Sequence, residues 1–520
     1  MAQEPKRPSV SGPGPGDACL SPAGEVRVGP FVMVIFGGAG DLASRKLIPA
    51  LYALHEDRSF AGTSSVLAVG RRPFTDEAYG KFVVSAVRKD LPKGFRPERA
   101  AAFARQFHFL PGDLRDDALY AALRARLESL CPSGKAEDVN LIFYLAVPPQ
   151  LVPVIVAGLN KIGFCRSLPQ AKLIVEKPFG RDLRSAEALN RQILAAFDEK
   201  QVFRIDHYLA KETVQNILFF RFGNALFEPV WNARFIDHVQ ITVAEDIGIE
   251  HRGAFYEQVG VIRDIVQNHL MQVLAMVAME PPAGFDADLV RDERNKVFRS
   301  IRRMDGRDAK SMTVLGQYGP GRVAGRKVRG YRAEARVSPA SRVATFFAGR
   351  FHIDNWRWAG VPFYLRTGKR LPRRESEIYI EFKKLPLRLF GKACGLMEPN
   401  GLVLSIQPRE RISLVLTVKH PGMGSEPATA RMVFDYAESF RVRERPVYER
   451  VLFDCIRGDL TLFPRQDAED ATWAVIDPVI EYWERHPPAG LPNYTAGSWG
   501  PKEAFELMAR EGRTWRFSGE

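Results

Sequence analysis

The chain reads Phe31-Val32-Met33-Val34-Ile35-Phe36-Gly37-Gly38-Ala39-Gly40-Asp41-Leu42-Ala43 where an unbroken apolar run gives way to a glycine-rich turn. A short run that is apolar throughout predicts a strand buried on both faces, as in a parallel sheet. Apolar residues at helical spacing follow over 42–54. Similar strand-like runs, separated by helix-like segments, lie at Ser65–Val69, Phe107–Leu110, Asn140–Ala146 and Lys172–Val175. This alternation predicts a Rossmann-type doubly wound parallel sheet.

The glycine-rich turn indicates a nucleotide-binding loop. Glycines between a strand and a helix let the backbone approach a pyrophosphate, and the free N–H groups of the helix then point at that anion. The spacing is Gly37-x-x-Gly40-x-x-Ala43 rather than the strict GxGxxG, and glycine turns also occur for steric reasons. The candidate cofactor-binding residues are Gly37, Gly38, Ala39, Gly40, Asp41, Leu42 and Ala43.

The end of the second predicted strand indicates which dinucleotide is bound. An NAD site usually has an acidic residue there, whereas an NADP site has an arginine near the 2′-phosphate. The sequence is Gly70-Arg71-Arg72, and a guanidinium suits a phosphate. NADP is therefore the predicted cofactor, with Arg71 the first candidate and Arg72 the second. The alternative is a pair of surface arginines without a ligand.

The pattern changes after about Ile205. Helices are predicted from Tyr208 to Phe222 and from Gly260 to Met279, and His238–Val243 alternates as a strand. Further predicted strands are Arg342–Phe347, Phe363–Thr367, Glu377–Phe382, Gly401–Ile406 and Ile412–Val418. These elements predict an α+β domain with a large, mainly antiparallel sheet.

Three segments follow from these patterns. The Pro- and Gly-rich residues 1–29 predict a disordered tail without a secretory signal. Residues 30–205 form the predicted Rossmann domain that binds NADP, and residues 206–520 form the predicted α+β domain. A chain of 520 residues with 46% hydrophobic residues can build cores of this size.

Charge, cysteines and hydropathy exclude several classes of protein. The net charge of +13 indicates either a solvated basic surface or a basic cleft that attracts anionic small molecules. No basic tail or nucleic-acid module accompanies it, so no nucleic-acid partner is predicted. The five scattered cysteines include no CxxC pair, which favours a reducing, cytoplasmic compartment and no metal site. Prolines interrupt the longest apolar run, Leu141–Leu159, so no membrane helix is predicted.

Two polar motifs lie where a ligand cleft is expected. Glu176-Lys177-Pro178 follows a predicted strand, where Lys177 would reach the crevice of the parallel sheet. Asp206-His207-Tyr208 and Lys211 fall at the predicted domain junction, with His207 and Lys211 on one predicted helix face. Donors at a helix N-terminus suit a phosphate monoester, although Asp206 as a helix cap and a solvated first turn is the simpler alternative.

A histidine and a lysine complete the candidate residues. His269 shares an apolar helical stripe with Ile262, Val266 and Val273, so it is either a core residue or a desolvated general base. A base would need a carboxylate partner, for which Asp206 is available. In the stretch 361–370, Lys369 follows a predicted strand. It would either bind a phosphate in the cleft or belong to a basic surface.

These motifs together resemble the glucose-6-phosphate dehydrogenase family over roughly nine-tenths of the chain. Residues 204–212, Arg-Ile-Asp-His-Tyr-Leu-Ala-Lys-Glu, resemble the signature nonapeptide of the family, with Ala210 where Gly is common. Residues 38–43 are similar to its nucleotide loop, and Arg263–His269 is similar to the segment that ends in its catalytic histidine.

The resemblance implies a role for each matched residue. His269 would remove the proton of the C1 hydroxyl and Asp206 would pair with it, while hydride passes from C1 to NADP and gives 6-phosphogluconolactone. Lys177 would contact both substrate and cofactor, and Tyr144 would lie by the nucleotide. The implied substrate-binding residues are His207, Tyr208, Lys211, Glu245, Asp264, Lys369, Arg374 and Gln407. The domain 206–520 would bind substrate and associate through its large sheet into a homodimer or homotetramer.

Other functions predict different behaviour. Another Rossmann-type sugar oxidoreductase with a Glu-Lys-Pro motif would not need the Asp206–Lys211 cluster together with Lys369. A basic nucleic-acid-binding protein would bind DNA with a steep salt dependence and leave the glycine loop unused. A catalytically inactive sensor would not need to retain Asp206 and His269.

Overall fold

The structure is a computed structural model that describes residues 28–60, 62–131, 133–387, 389, 397–440 and 445–517. Residues 1–27 of the predicted disordered tail, 1–29, lie outside the described residues. Among the described cysteines, Cys131, Cys165 and Cys455 are free and buried. None of the helices in the described ranges combines the length and apolar character needed to cross a membrane.

A six-stranded parallel sheet forms the N-terminal half, as predicted. Its strands are β1 Phe31–Phe36, β2 Ser65–Gly70, β3 Phe107–Pro111, β4 Asn140–Leu145, β5 Lys172–Val175 and β6 Val202–Arg204. All six residues of β1 are buried, which explains the unbroken apolar run. The strand order is β3-β2-β1-β4-β5-β6, and the strand order therefore reverses between β1 and β4, where such sheets bind ligands.

Six helices cover this sheet. They are α1 Ile48–Glu56, α2 Asp76–Asp90, α3 Pro97–Ala104, α4 Asp117–Leu130, α5 Val152–Lys161 and α6 Leu183–Ala196. A π-helical turn, Ala43–Leu47, leads from the glycine loop into α1. The loop is therefore followed directly by helical backbone, as the sequence predicts.

The C-terminal half contains an eight-stranded sheet in the order β17-β16-β15-β14-β7-β13-β12-β8. Its strands are β7 Ile236–Ala244, β8 Thr313–Gly316, β12 Phe346–His352, β13 Pro362–Gly368, β14 Glu375–Phe382, β15 Gly401–Gln407, β16 Arg411–Lys419 and β17 Pro427–Asp435. Two short pairs lie outside this sheet: β9 Tyr318–Gly319 with β18 Tyr494–Thr495, and β10 Gly321–Val323 with β11 Arg326–Val328. Within the sheet, β7 and β13 pair in parallel and the other neighbours are antiparallel. The prediction of a mainly antiparallel sheet is confirmed.

Nine α-helices accompany this sheet in the described part of the chain. They are α7 Glu212–Phe222, α8 Gly253–Val261, α9 Met271–Ala278, α10 Ala287–Ser300, α11 Gly306–Met312, α12 Tyr436–Phe440, α13 Val447–Arg457, α14 Gln466–Arg485 and α15 Lys502–Ala509. Helix α13 packs on α1, and α14 packs on α6. Helices of the C-terminal half thus pack against helices that cover the parallel sheet.

Three predicted elements differ from the structure. The strand predicted at Arg342–Phe347 is shifted, because pairing with β13 begins only at Phe346. Helix α7 begins at Glu212 rather than Tyr208, since the Asp206 carboxylate accepts the Tyr208 amide and residues 207–211 form turns. The prediction that His207 and Lys211 share a helix face is therefore wrong.

The helix predicted from Gly260 to Met279 is present in a modified form. Gly260, the penultimate residue of α8, has φ +63° and produces a kink just before the helical run that follows. That run begins as a π-helix over Ile262–Leu270 and continues as α9. His269 lies in the π-helical part, and π-helical turns recur at functional sites.

Candidate active site

A cleft of about 870 Å³ lies between the two halves of the molecule. Nine of the predicted site residues line it: Lys177, His207, Tyr208, Lys211, Glu245, Asp264, His269, Arg374 and Gln407. They come from the end of β5, the turns before α7, the end of β7 and the π-helix. Arg374 comes from just before β14, and Gln407 from the end of β15. The fold therefore brings together side chains that are up to about 230 residues apart in sequence.

Asp206 and His269 meet in this region. The Nδ1 atom of His269 lies 2.9 Å from Oδ1 of Asp206, and both side chains are almost fully buried. The same Asp206 oxygen accepts the Tyr208 amide at 2.8 Å. The ring of Tyr208 packs against the imidazole, with the ring centroids 4.7 Å apart. The carboxylate therefore fixes the orientation of the histidine ring.

Burial and charge have opposite effects on the two members of this pair. Burial raises the pKa of Asp206, but the charge of His269, its hydrogen bond, the Tyr208 amide and Lys177 lower it to about 2. Burial lowers the pKa of His269, and the charge of Asp206 compensates only in part. At neutral pH the aspartate is thus an anion that only accepts hydrogen bonds, so Nδ1 carries the imidazole proton and Nε2 is left as an acceptor.

Two lysines and two carboxylates form a connected cluster that begins at Nε2 of His269. Lys177 Nζ lies 2.7 Å from His269 Nε2 and donates to the backbone oxygen of Asp264 at 3.0 Å. Lys369 Nζ donates to Glu245 at 2.5 Å and lies 3.6 Å from the Asp264 carboxylate. Burial raises the pKa of Asp264, but Lys177 and Lys369 more than compensate and lower it. The cluster offers both hydrogen-bond donors and acceptors to the cleft.

A second polar group extends from Tyr208 away from the histidine. Lys211 Nζ donates to Gln407 Oε1 at 2.8 Å, and Arg374 donates to the same oxygen at 3.2 Å. Tyr208 OH lies 3.1 Å from the Ser376 hydroxyl. Burial and the neighbouring Arg374 lower the pKa of Lys211 to about 8. An anion placed here would relieve the repulsion between these two cations.

His207 is an unsatisfied polar group in the same wall of the cleft. Its Nε2 atom is buried without a hydrogen-bond partner, and it lies 3.9 Å from the Glu176 carboxylate. Burial and the charges of His269 and Lys177 lower its pKa to about 3. A buried nitrogen that lacks a partner points to a ligand that would supply one.

The glycine loop is built for close backbone packing. Gly37 has φ +83°, and a Cβ atom on it would lie 2.4 Å from the carbonyl oxygen of Ala146. A Cβ on Gly38 would lie 2.5 Å from the Ala68 side chain. Gly37 and Gly38 are therefore required for steric reasons, and this requirement is compatible with a role of the loop in ligand binding. The first N–H groups of the helix that follows have no acceptor within that helix and remain available to an anion.

The other predicted nucleotide residues lie in different environments. Arg71 and Arg72 follow β2 directly and are exposed at the edge of the sheet that carries the glycine loop. Tyr144 is fully buried in β4 instead of being exposed to the cleft, and its hydroxyl donates to Glu176 at 2.6 Å. Tyr144 can thus act on a ligand only through Glu176.

Four further residues belong to this site although the sequence did not indicate them. Lys46 and Arg252 line the cleft, and their charges lower the pKa values of His207 and Asp264 respectively. Ser376 connects Tyr208 with Gln407, and Tyr448 of α13 donates to Glu176 at 3.1 Å. Lys46 was detectable because it falls in the helix after the glycine loop, whereas the others depend on tertiary contacts.

Comparison with known proteins gives one consistent result. Residues 34–216 match the family "Glucose-6-phosphate dehydrogenase, NAD binding domain", and residues 218–516 match "Glucose-6-phosphate dehydrogenase, C-terminal domain". A glucose-6-phosphate 1-dehydrogenase of Mycolicibacterium smegmatis is 43% identical, over 94% of this chain and 98% of the relative. One of Aggregatibacter actinomycetemcomitans is 44% identical, over 93% and 97%.

Solved structures agree with these relatives. A glucose-6-phosphate dehydrogenase in complex with its substrate glucose-6-phosphate superposes with a TM-score of 0.86 at 33% identity, covering 94% of this chain and 99% of that structure. The glucose-6-phosphate 1-dehydrogenase of Mycobacterium avium gives a TM-score of 0.81 at 34% identity, with the same coverage.

Proposed function

The chain belongs to the glucose-6-phosphate dehydrogenase family, and we propose that its activity depends on His269 as the catalytic base and on Asp206 as its partner. The protein is a glucose-6-phosphate 1-dehydrogenase, an oxidoreductase of the pentose phosphate pathway. The observation that carries the proposal is the 2.9 Å contact between Asp206 and His269. It lies at the wall of a cleft whose side chains can donate hydrogen bonds to a phosphate and to hydroxyl groups.

The base is prepared by its surroundings. Asp206 holds the proton on Nδ1 of His269, so Nε2 can accept the proton of the C1 hydroxyl. The positive charge that then develops on the ring is stabilised by the Asp206 carboxylate. When bound, the nicotinamide accepts the hydride that leaves C1. Lys177, whose ammonium group contacts Nε2, would donate to the hydroxyl oxygen once the hydroxyl takes its place at that nitrogen.

The remaining cleft residues divide between the two ends of the substrate. Glu245 and Asp264 accept from sugar hydroxyls, and Lys369 holds both carboxylates in place. The phosphate is bound by a group of donors that comprises His207, Tyr208, Lys211 and Arg374, with Gln407 between them.

We propose NADP as the preferred dinucleotide. The glycine loop and the helix that starts at its end would hold the pyrophosphate, which fits the close approach that Gly37 and Gly38 allow. Arg71, with Arg72 next to it, would bind the 2′-phosphate, because both guanidinium groups are exposed beside that loop and no acidic residue stands there. Tyr144 contributes through the Glu176 hydrogen bond.

We also propose that the protein associates through its large sheet, as a homodimer or as a homotetramer built from that dimer. The edge strand β17 and the neighbouring α12 expose Met432, Val433, Phe434 and Phe440. They line an apolar groove of about 410 Å³ together with Phe219 of α7. An uncovered apolar edge of this size usually marks an interface. Light scattering of Val433→Lys should show loss of the assembly, and an unchanged mass would refute this interface.

Domain limits at residues 30–205 and 206–520 and a cytoplasmic location stay predictions. The enzymatic proposal is tested by steady-state kinetics with NADP and NAD, each with glucose 6-phosphate and with free glucose. We expect turnover with the phosphorylated sugar and NADP, and a large loss with free glucose because the donors around Lys211 have no anion to bind. Equal activity on both sugars would refute the proposed phosphate site.

A further inference from the structure

A buried carboxyl group lies behind the catalytic pair and has no part in the mechanism above. Glu469 belongs to the first turn of α14, and its side chain is buried. Gln267 Nε2 lies 3.2 Å from the Glu469 carboxyl and 3.0 Å from the Thr472 hydroxyl. Gln267 precedes His269 by two residues in the π-helix and is itself buried. One amide side chain thus ties the turn of the catalytic histidine to α14.

Several charged groups act on this carboxyl group from the elements around it. Burial raises the pKa of Glu469 to about 7, while Gln267 and Arg204 lower it and Asp206 and Asp470 raise it. Arg204, from β6, is paired with Glu199. Because like charges repel, Asp206 and an ionised Glu469 disfavour each other.

The neighbouring helices add one more cation. From α10, Arg294 is buried with Nε and Nη1 unpartnered, and its charge interacts with Asp206. From α6, Asn190 contributes a neutral amide that donates to Asp470. Glu469 is therefore linked to the π-helical turn of His269 by one hydrogen bond, through Gln267, and to Asp206 by charge alone. Neither Glu469 nor Gln267 lines the cleft.

We propose that Glu469 is a positioning residue of the catalytic base, which holds the turn of His269 through Gln267 and adds its charge behind Asp206. The proposal rests on the function assigned to Asp206 and His269. A charged carboxylate accepts a stronger hydrogen bond from Gln267 than a neutral one does. It also adds negative potential that makes the imidazole a better proton acceptor. The rate of the chemical step should therefore rise as Glu469 loses its proton.

The expected signature is a second titration in kcat, in addition to that of His269. Between about pH 6 and about pH 8, wild-type kcat should rise several-fold, because most Glu469 side chains lose their proton over this range and the added negative charge favours the imidazolium. Glu469→Gln keeps an acceptor for Gln267 and removes the charge, so this rise should be absent. Glu469→Leu removes both, so kcat should fall about tenfold at about pH 8, less than the roughly 100-fold cost of a 1 Å misplacement, and by a smaller factor at about pH 6, where wild-type Glu469 is mostly neutral.

The KM for glucose 6-phosphate should stay within about twofold in both variants, because Glu469 does not touch the substrate. Glu481→Gln is the matched control, since Glu481 lies on the same helix but is 61% exposed in its ion pair with Arg485. If Glu469→Leu does not fold, the isosteric Glu469→Gln carries the test alone.

Superimposable kcat profiles of wild type and Glu469→Gln would overturn the proposal. A KM that rises in parallel with the loss of kcat would also overturn the proposal, because it would indicate a general structural role of Glu469. Failure of the underlying function is recognised separately, because His269→Asn would then retain activity whatever the Glu469 variants do.

Discussion

Replacement of His269 by Asn tests the catalytic assignment most directly. The shorter amide can still donate to Asp206 but has no basic nitrogen to accept the C1 hydroxyl proton. A general base contributes about 10²–10⁴-fold to kcat, or about 2.7–5.4 kcal/mol at about 1.36 kcal/mol per tenfold. The structure favours the middle of this range or above. His269 is almost fully buried, and the nearest group to Nε2 is the Lys177 ammonium, which cannot take a proton in its place.

We therefore expect kcat to fall by about 1000-fold, with the KM for glucose 6-phosphate within about threefold of wild type. The phosphate contacts around Lys211 and Gln407 do not involve the histidine, so binding of the substrate should persist. Steady-state kinetics with NADP give both constants, and thermal unfolding of the variant provides the folding control. A large loss of affinity at unchanged kcat would refute the role of His269 as the base.

Three further changes test the other parts of the site. Lys211→Ala should raise the KM for glucose 6-phosphate, and wild-type KM should also rise above about pH 8, where Lys211 loses its proton; a KM unchanged by the substitution would remove Lys211 from the phosphate pocket. Arg71→Ala should weaken NADP by about tenfold or more and NAD much less, since a hydrogen bond to a charged group contributes about 1.5–3 kcal/mol; equal losses in the two dissociation constants would place the 2′-phosphate elsewhere. Glu469→Gln should raise Tm at about pH 8 but not at about pH 5. The pKa of Glu469 is raised to about 7 in the folded state, so the wild type loses stability as pH rises through that value and the neutral glutamine does not. A Tm gain that is equal at both pH values would contradict the raised pKa.

Much of the architecture could be predicted because its signals are local. A strand buried on both faces must be apolar throughout, so β1 was recognisable from its own six residues. The edge strand β17 was not recognised, because edge strands are partly solvated and Pro427–Asp435 mixes polar with apolar residues. The short β8 was missed for lack of length.

The site was less predictable because its geometry depends on side chains that interrupt regular structure. The turn at residues 207–211 exists since the Asp206 carboxylate accepts the Tyr208 amide, and a helical pattern continues through it in the sequence. Periodicity placed His269 on an apolar stripe, but the π-helix changes the angular spacing of side chains. The residue types of the site were therefore visible, while Ser376 and Gln267 became apparent only from tertiary contacts.

The catalytic pair requires an anionic carboxylate beside a neutral imidazole in one desolvated place. Burial alone would neutralise both members, since it raises the pKa of Asp206 and lowers that of His269. Asp206 remains ionised because the imidazole, the Tyr208 amide and Lys177 all favour its anion. His269 remains neutral because Asp206 and Asp264 together do not offset desolvation, and the nearby Lys177 opposes protonation. The same lysine that would polarise the hydroxyl thus also disfavours protonation of the imidazole before the substrate binds.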